Sequence, residues 1–466
     1  MTKKALLAAL VATALSFPAL AQQAAPDPVP VDPAVAKLRD AALKDDTAWN
    51  IVEGLTTEIG PRPDGSEQEG RARDWALAKL KSLGFRNVHI EPYLVPTWVR
   101  GLESAEVISP YPQPLKLTAL GNSGATPPEG LTLPIVFFPS FADLRAAPDD
   151  SLKGKIAFVS NTMHATQDGS SYGSQGQARR AGPNVAAKKG AAAIVIRSIG
   201  TDHSRAPHTG VTNFEAGVTP IPAAALSTTD ADNLERMVMR GKPVTIHLLL
   251  TPQQVGPRDS GNVVAEVPGT DPAAGLILIG GHLDSWDLGT GAIDDGAGIA
   301  IMTGAAKMMM ESGKHRRTIR IVWFGDEETG GFGGIAYAKA HAAERHVAAG
   351  ESDFGADRVW QFKAGLPDAA KGIADRLASA LDSIGVLRGV GAARGGTDVE
   401  PTLATGVAGI DMNQDGLRYF DWHHTPEDTL DKIDPAQLRQ NVAAWTTMLA
   451  VLADAPEDIG SVSAKK

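Results

Sequence analysis

The chain has 466 residues, of which 43% are hydrophobic and 21% charged, with a formal net charge of -10. That length exceeds one ordinary domain and the composition is that of a globular protein, so a large domain plus at least one further module is expected. The basic residues are scattered, which argues against a nucleic-acid binder, and the lack of cysteine excludes disulfides and leaves His, Asp and Glu to hold any metal.

Lys3 and Lys4 precede an apolar run from Ala5 to Phe17, then Pro18 and the small-residue pattern Ala19-Leu20-Ala21. This order reads as a secretory signal peptide over residues 1–21, giving an exported chain, periplasmic or secreted after cleavage near Ala21. The run is too short to span a bilayer, and no later segment approaches 18 continuous apolar residues. Residues 22–33, rich in Ala, Gln and Pro, read as a disordered leader. Ser66 and Glu69 have the spacing of a capping box that opens a helix to about Leu83, with Gly84 as its stop. A strand is expected near Val88–Tyr93.

Between about Gly121 and Gly256 the texture changes to strand-like stretches (Lys155–Ser160, Ala191–Arg197), Gly/Pro loops and a helix around Val185–Lys189. An α/β insert is expected there. The first pattern then returns: a buried strand over Leu276–Gly280, a helix over Ile299–Met310, a buried strand over Ile319–Phe324, a helix over Phe332–Ala349 and a final amphipathic helix over Pro435–Ala453. Strands alternating with helices in this way predict an α/β fold, a mostly parallel mixed sheet sandwiched by helices.

Chemistry in such sheets gathers at the carboxyl ends of the strands. Here one strand runs into His282-Leu283-Asp284 and another into Asp326-Glu327-Glu328, while Asp294-Asp295-Gly296 opens a helix and Glu351-Ser352-Asp353 and His423-His424-Thr425 follow. Each piece alone has a plain structural reading, as a surface pair, a helix cap or a solvated helix start. Together, at the ends of successive buried strands, they supply imidazole and carboxylate donors of the kind zinc accepts, including a carboxylate able to bridge two ions.

The stretches GGHLDSWDLGTGAIDDGAG, VWFGDEETGGFGG, ESD and HHTPEDT resemble the co-catalytic zinc peptidases, a family that includes bacterial zinc aminopeptidases and glutamate carboxypeptidase. IGPRPDGS (59–66), PTWVRGLESA (96–105), GATPPEG (124–130) and PHTG (207–210) are similar to its carboxypeptidase Q subgroup. The likeness covers roughly residues 47–455. It implies two zinc ions per chain, with Asp294 bridging both, His282 and Asp353 completing one site, and Glu328 and His424 completing the other. It implies Asp284 as the carboxylate that orients His282, Glu327 as general base, and Asp295 as a structural residue beside a cis peptide. Thr397-Asp398 resembles a buried polar pair behind the site.

The resemblance also implies a discontinuous peptidase domain (34–125 and 253–460), a protease-associated-like insert (126–252) and a homodimer. The expected activity is hydrolysis of small peptides, dipeptides with free termini foremost. An aminopeptidase is the main alternative, and a glutaminyl cyclase or a receptor-like protein without chemistry are further ones. Tyr419, Phe420 and Trp422 are candidates for walls of a substrate pocket, and Arg394, Arg418 and His208 for contacts to a substrate carboxylate or oxyanion. Neither a nucleic-acid partner nor a membrane span is expected.

Overall fold

The computed structural model describes residues 29–460, so the signal peptide and most of the leader lie outside the described residues. Among these residues no helix is long and apolar enough to cross a membrane. The strands form two eight-stranded mixed sheets.

The first sheet runs, edge to edge, Arg86–Val99, Gln253–Val267, Thr318–Phe324, Leu276–His282, His346–Glu351, Ala408–Gln414, Val359–Ala364 and Leu387–Arg388. Its centre is parallel: Leu276–His282 pairs in parallel with a strand on either side. Side chains alternate between the faces of a strand, so both faces of this strand must be apolar. Ile277 and Ile279 pack with Ile299, Ile301 and Trp323 on one side, under the helices Ala297–Ser312 and Pro435–Ala453. Leu276 and Leu278 pack with Phe324, Tyr337 and Val399 on the other. Each such fully buried aliphatic side chain contributes about 1.5–3 kcal/mol. The indole of Trp323 also finds a partner, donating to Thr303 Oγ1 at 3.0 Å.

The helix expected from Ser66 spans Glu67–Ser82, and Ser66 Oγ accepts from the Glu69 N–H at 3.0 Å. Only half of the capping box forms, because the Glu69 carboxylate turns inward to Arg73 at 2.9 Å and to Ser260 Oγ at 3.2 Å. The helix expected over Phe332–Ala349 ends at Ala340, and His346–Glu351 is a central strand. The alanines of that segment suit a helix by local preference, but pairing along both edges and complete burial of Val347–Gly350 override it. The last helix, Pro435–Ala453, is buried on every side from Gln440 onward rather than amphipathic there, since the helix Pro33–Ala42 covers its outer face.

The second sheet runs Gln113–Leu115, Glu103–Ser109, Thr245–Leu250, Leu131–Phe138, Ile156–Val159, Ala193–Arg197, Ala223–Leu226 and Leu117–Ala119. It therefore draws in strands from Glu103, ahead of residue 126. The chain leaves the first sheet after Val99 and re-enters it at Gln253, and these two strands pair antiparallel. At the crossing the Leu102 N–H donates to Thr251 Oγ1 at 2.8 Å and the Thr251 N–H to the Leu102 carbonyl at 3.0 Å. Gly101 is required there, because a Cβ would lie 2.0 Å from the Thr251 carbonyl oxygen.

Candidate metal centre

Strand register brings the chemistry together. His282 lies opposite Phe324, and Gly280 lies opposite Glu351. The residues just past three parallel strands, Asp284, Glu327-Glu328 and Asp353, therefore leave the sheet side by side. Asp284 is fully buried and accepts from the N–H groups of Glu327 and Glu328, each at 3.2 Å, which caps the short helix Glu327–Gly330. Its Oδ1 also lies 3.5 Å from His282 Nδ1.

Asp294 arrives from a loop held by two devices. The buried Arg62 donates to the carbonyls of Thr290 at 2.7 Å and Gly291 at 2.9 Å. Asp428 accepts from the N–H groups of Ala292 at 2.8 Å and Ile293 at 2.7 Å. The Asp294–Asp295 peptide is cis. Asp295 then turns its carboxylate back, accepting from the His282 N–H at 3.2 Å and the Gly298 N–H at 3.0 Å.

The two oxygens of Asp294 face different neighbours. Oδ1 lies 3.1 Å from His282 Nε2, which is itself 3.6 Å from Asp353 Oδ1. Oδ2 lies 3.3 Å from His424 Nε2, which is 3.0 Å from Glu328 Oε2. His423 stacks on His424 with ring centroids 3.5 Å apart and puts its Nε2 3.5 Å from the same Oδ2. Asp294, His423 and His424 form one group of mutually close donors, and His282, Asp294 and Asp353 another.

Burial pushes the Glu327 carboxyl well up, with Asp353 and Glu328 adding to the effect, and burial likewise raises Glu328 and Asp353. Burial would raise Asp294 too, but the His282 and His424 imidazoles beside it hold it well below the usual carboxylate range. Asp294 Oδ2, Glu328 Oε1 and Asp353 Oδ1 are buried without a hydrogen-bond partner. Several carboxylates withdrawn from water need positive charge among them, and orphaned oxygens beside imidazole nitrogens fit a metal ion with mixed N/O preference.

A cavity of about 280 Å³ opens over this cluster, with Glu327, Glu328, Asp353 and His424 in its lining. Tyr419 and Phe420 wall it, together with Phe354. Trp422 instead faces a separate cleft of about 750 Å³ shared with Arg205 and Glu427. Arg394 is exposed, its N–H bonded to Asp411, and it does not line the cavity. Arg418 is exposed and paired with Asp357 at 2.5 Å. His208 is fully buried and bonded elsewhere, so it does not line the cavity either. Asp398 is buried behind the site as expected, whereas Thr397 is exposed and lines the cavity.

Residues that sequence reading did not single out complete the wall. Tyr172, Arg179, Arg180 and Val211, all from the part of the chain that builds the second sheet, line the same cavity. Arg179 donates to the Thr209 carbonyl at 3.2 Å and to Tyr172 Oη at 2.5 Å. Arg180 is half-buried, donating to the Gly173 carbonyl at 2.9 Å. The adjacent arginines were the available signal, but only the docking of the two sheets brings them to the metal-type cluster.

The profile of Peptidase family M28 matches residues 262–449. Carboxypeptidase Q from Bos taurus is 35% identical over 406 residues, covering 86% of this chain and 84% of that protein. The solved structure of a peptidase M28 precursor from Shewanella amazonensis SB2B is 47% identical, with a TM-score of 0.90, and the match covers 92% of this chain and 98% of that one. A zinc aminopeptidase from Bacillus subtilis shares the fold at a TM-score of 0.63 and 19% identity, over 90% of this chain and 98% of that one. The chain belongs to peptidase family M28 and is a metallopeptidase.

Proposed function

We propose that this family M28 peptidase is an exported two-zinc exopeptidase whose preferred substrates are dipeptides with both termini free. One observation carries the reading: a single cavity of about 280 Å³ is lined both by the carboxylate–imidazole cluster and by the adjacent arginines Arg179 and Arg180. Carboxylates suit a substrate ammonium group, and an arginine suits a carboxylate. In this reading Asp294 would serve both ions, His282 and Asp353 would complete one ligand set, and Glu328 and His424 the other. His424 is preferred to His423 because it alone of the pair also meets Glu328.

When bound, the zinc ions supply Lewis acidity, acidifying water and polarising the scissile carbonyl. Glu327 takes a proton from the attacking water as the C–O bond forms, then delivers it to the amine nitrogen as the C–N bond breaks. Asp284 acts beside it by fixing the His282 ring and the backbone that carries Glu327 and Glu328. Tyr419 and Phe420 exclude water from one side. Arg180 binds the C-terminal carboxylate, the role earlier expected of Arg394, Arg418 or His208.

Residues 126–252 are read as the protease-associated-like insert, which supplies most of the second sheet, and the enzyme as a homodimer, on the strength of the family likeness. N-terminal sequencing of the exported protein and sedimentation of the purified chain test the export and the dimer.

The substrate test uses one dipeptide in three forms, free, N-blocked and C-amidated, each with and without a chelator. Chelator-sensitive cleavage of the free form alone is the expected result. Equal cleavage of the C-amidated form makes the enzyme an aminopeptidase, which the abundance of carboxylates near the cavity would also suit. Equal cleavage of the N-blocked form makes it a carboxypeptidase.

A further inference from the structure

PHTG, residues 207–210, has no part in the chemistry above, yet it lies where the second sheet's loops meet the histidine segment of the metal centre. His208 is fully buried. Its Nδ1–H donates to the His423 carbonyl at 2.7 Å, and its Nε2 lies 2.9 Å from Asp202 Oδ1.

Thr209 grips the next residue. Its N–H donates to the His424 carbonyl at 3.0 Å, and its own carbonyl lies 3.3 Å from His424 Nδ1, as does Arg179 Nη1. Further along, the Thr201 N–H donates to the Phe420 carbonyl at 3.0 Å and Thr201 Oγ1 to Asp421 at 2.7 Å. Residues 201–209 thus hold residues 420–424 at successive points.

The grip matters because His424 has φ of +63°, a left-handed conformation that a non-glycine residue keeps only when its surroundings enforce it. Thr209 is itself anchored, its Oγ1 donating to the Ala119 carbonyl at 2.9 Å and accepting from Arg100 at 3.1 Å. Gly210 cannot be larger, since a Cβ there would lie 2.4 Å from the Arg179 guanidinium carbon.

We propose that the Asp202–His208 pair, with Thr209, is a positioning device that fixes the His423–His424 backbone so that His424 Nε2 faces Glu328 and Asp294. The proposal rests on the reading of His424 as a metal ligand. A ligand histidine whose backbone is clamped on both sides and whose Nδ1 edge packs against a carbonyl has its ring orientation set before metal arrives. The inserted part of the chain thereby tunes metal affinity without touching metal.

The test is zinc affinity of the full chain, measured by competition with a chromophoric chelator, for wild type, His208→Asn and His208→Gln. The Asn amide nitrogen takes the place of Nδ1 and keeps the bond to the His423 carbonyl. The Gln amide reaches the place of Nε2 and leaves that carbonyl without a partner. The Gln variant is expected to lose about tenfold in affinity for one ion, while Asn stays within roughly threefold of wild type. Urea unfolding of the metal-free proteins separates this from a general loss of stability. Equal losses in both variants, or none in either, overturn the proposal. A wild-type chain that binds no zinc overturns the metal reading and the positioning with it, whereas zinc-binding wild type with unaffected His208→Gln overturns the positioning alone. Should neither His208 variant fold, Thr201→Val removes one point of the same grip: weakened zinc binding supports the device, and wild-type affinity refutes it.

Discussion

Replacing Gly281 by alanine would disturb the centre at its tightest point. A Cβ on Gly281 would lie 2.2 Å from Asp295 Oδ2, at least about 1 Å inside van der Waals contact. That same oxygen accepts from the His282 N–H, and its partner oxygen from the Gly298 N–H. Asp295 is fully buried, so it has no solvent to move into. Either both hydrogen bonds stretch, at about 1–3 kcal/mol each, or the strand shifts against a full core, at about 1–3 kcal/mol. A destabilisation of about 1–6 kcal/mol follows, to be set against the roughly 5–15 kcal/mol that holds a protein folded. Urea unfolding of the metal-free protein measures it, and zinc content after dialysis reports whether His282 and Asp294 moved. Gly372→Ala is the control: it is exposed in the helix Lys371–Asp382 with nothing within 4 Å of a new Cβ, so it should be neutral or stabilising by up to about 1 kcal/mol. A Gly281→Ala protein with wild-type zinc content and less than about 1 kcal/mol of destabilisation would refute the reasoning.

Glu327→Gln should keep its zinc, counted by atomic absorption, while turnover falls by about 10²- to 10⁴-fold; a near-wild-type rate removes Glu327 as the base. Arg180→Gln should raise KM for the free dipeptide roughly 10- to 100-fold, the worth of one charged hydrogen bond; an unchanged KM removes Arg180 as the carboxylate contact. Burial pushes the Glu69 carboxyl up to about 8 despite the Arg73 guanidinium beside it. Its folded value lies above the unfolded one, so the protein loses stability as pH rises from about 4.5 to 8, by at most about 1.4 kcal/mol per pH unit. Glu69→Gln should lack that slope and gain on wild type across the same window; parallel unfolding curves from pH 5 to 8 would show that Arg73 keeps Glu69 ionised.

The parallel centre of the first sheet is legible because strands buried on both faces carry unbroken apolar runs, as Leu276–Ile279 and Ile321–Phe324 do. His282, Glu328 and Asp353 are legible for a related reason: they follow apolar runs at the strand ends, where chain direction alone sends them to one edge. His346–Glu351 escapes because alanine and glycine carry little pattern, and its strand state comes from two neighbours distant in sequence. Arg179 and Arg180 escape as site residues for a similar reason, since nothing local says which loop the second sheet will press over the cavity. His208 illustrates the converse error. A histidine in a distinctive motif invites a chemical role, yet both of its nitrogens are committed to holding backbone and a carboxylate.

The crossing at Leu102 and Thr251 bears on how such a chain can be assembled and rebuilt. The two residues are 149 positions apart yet hydrogen-bonded at 2.8 Å, so everything between them hangs from the tip of a hairpin. Loop-closure entropy grows only logarithmically, about 0.6 kcal/mol per doubling of length, so even an unstructured excursion of that size would cost the first sheet only a few kcal/mol more than a tight turn. A folded excursion with adjoining ends costs less. A short turn spliced in at this point should leave the edge strands paired while removing Arg179, Arg180, His208 and Thr209 at a stroke. The hairpin tip is thus a seam at which the catalytic sheet and the apparatus that equips it can be exchanged separately.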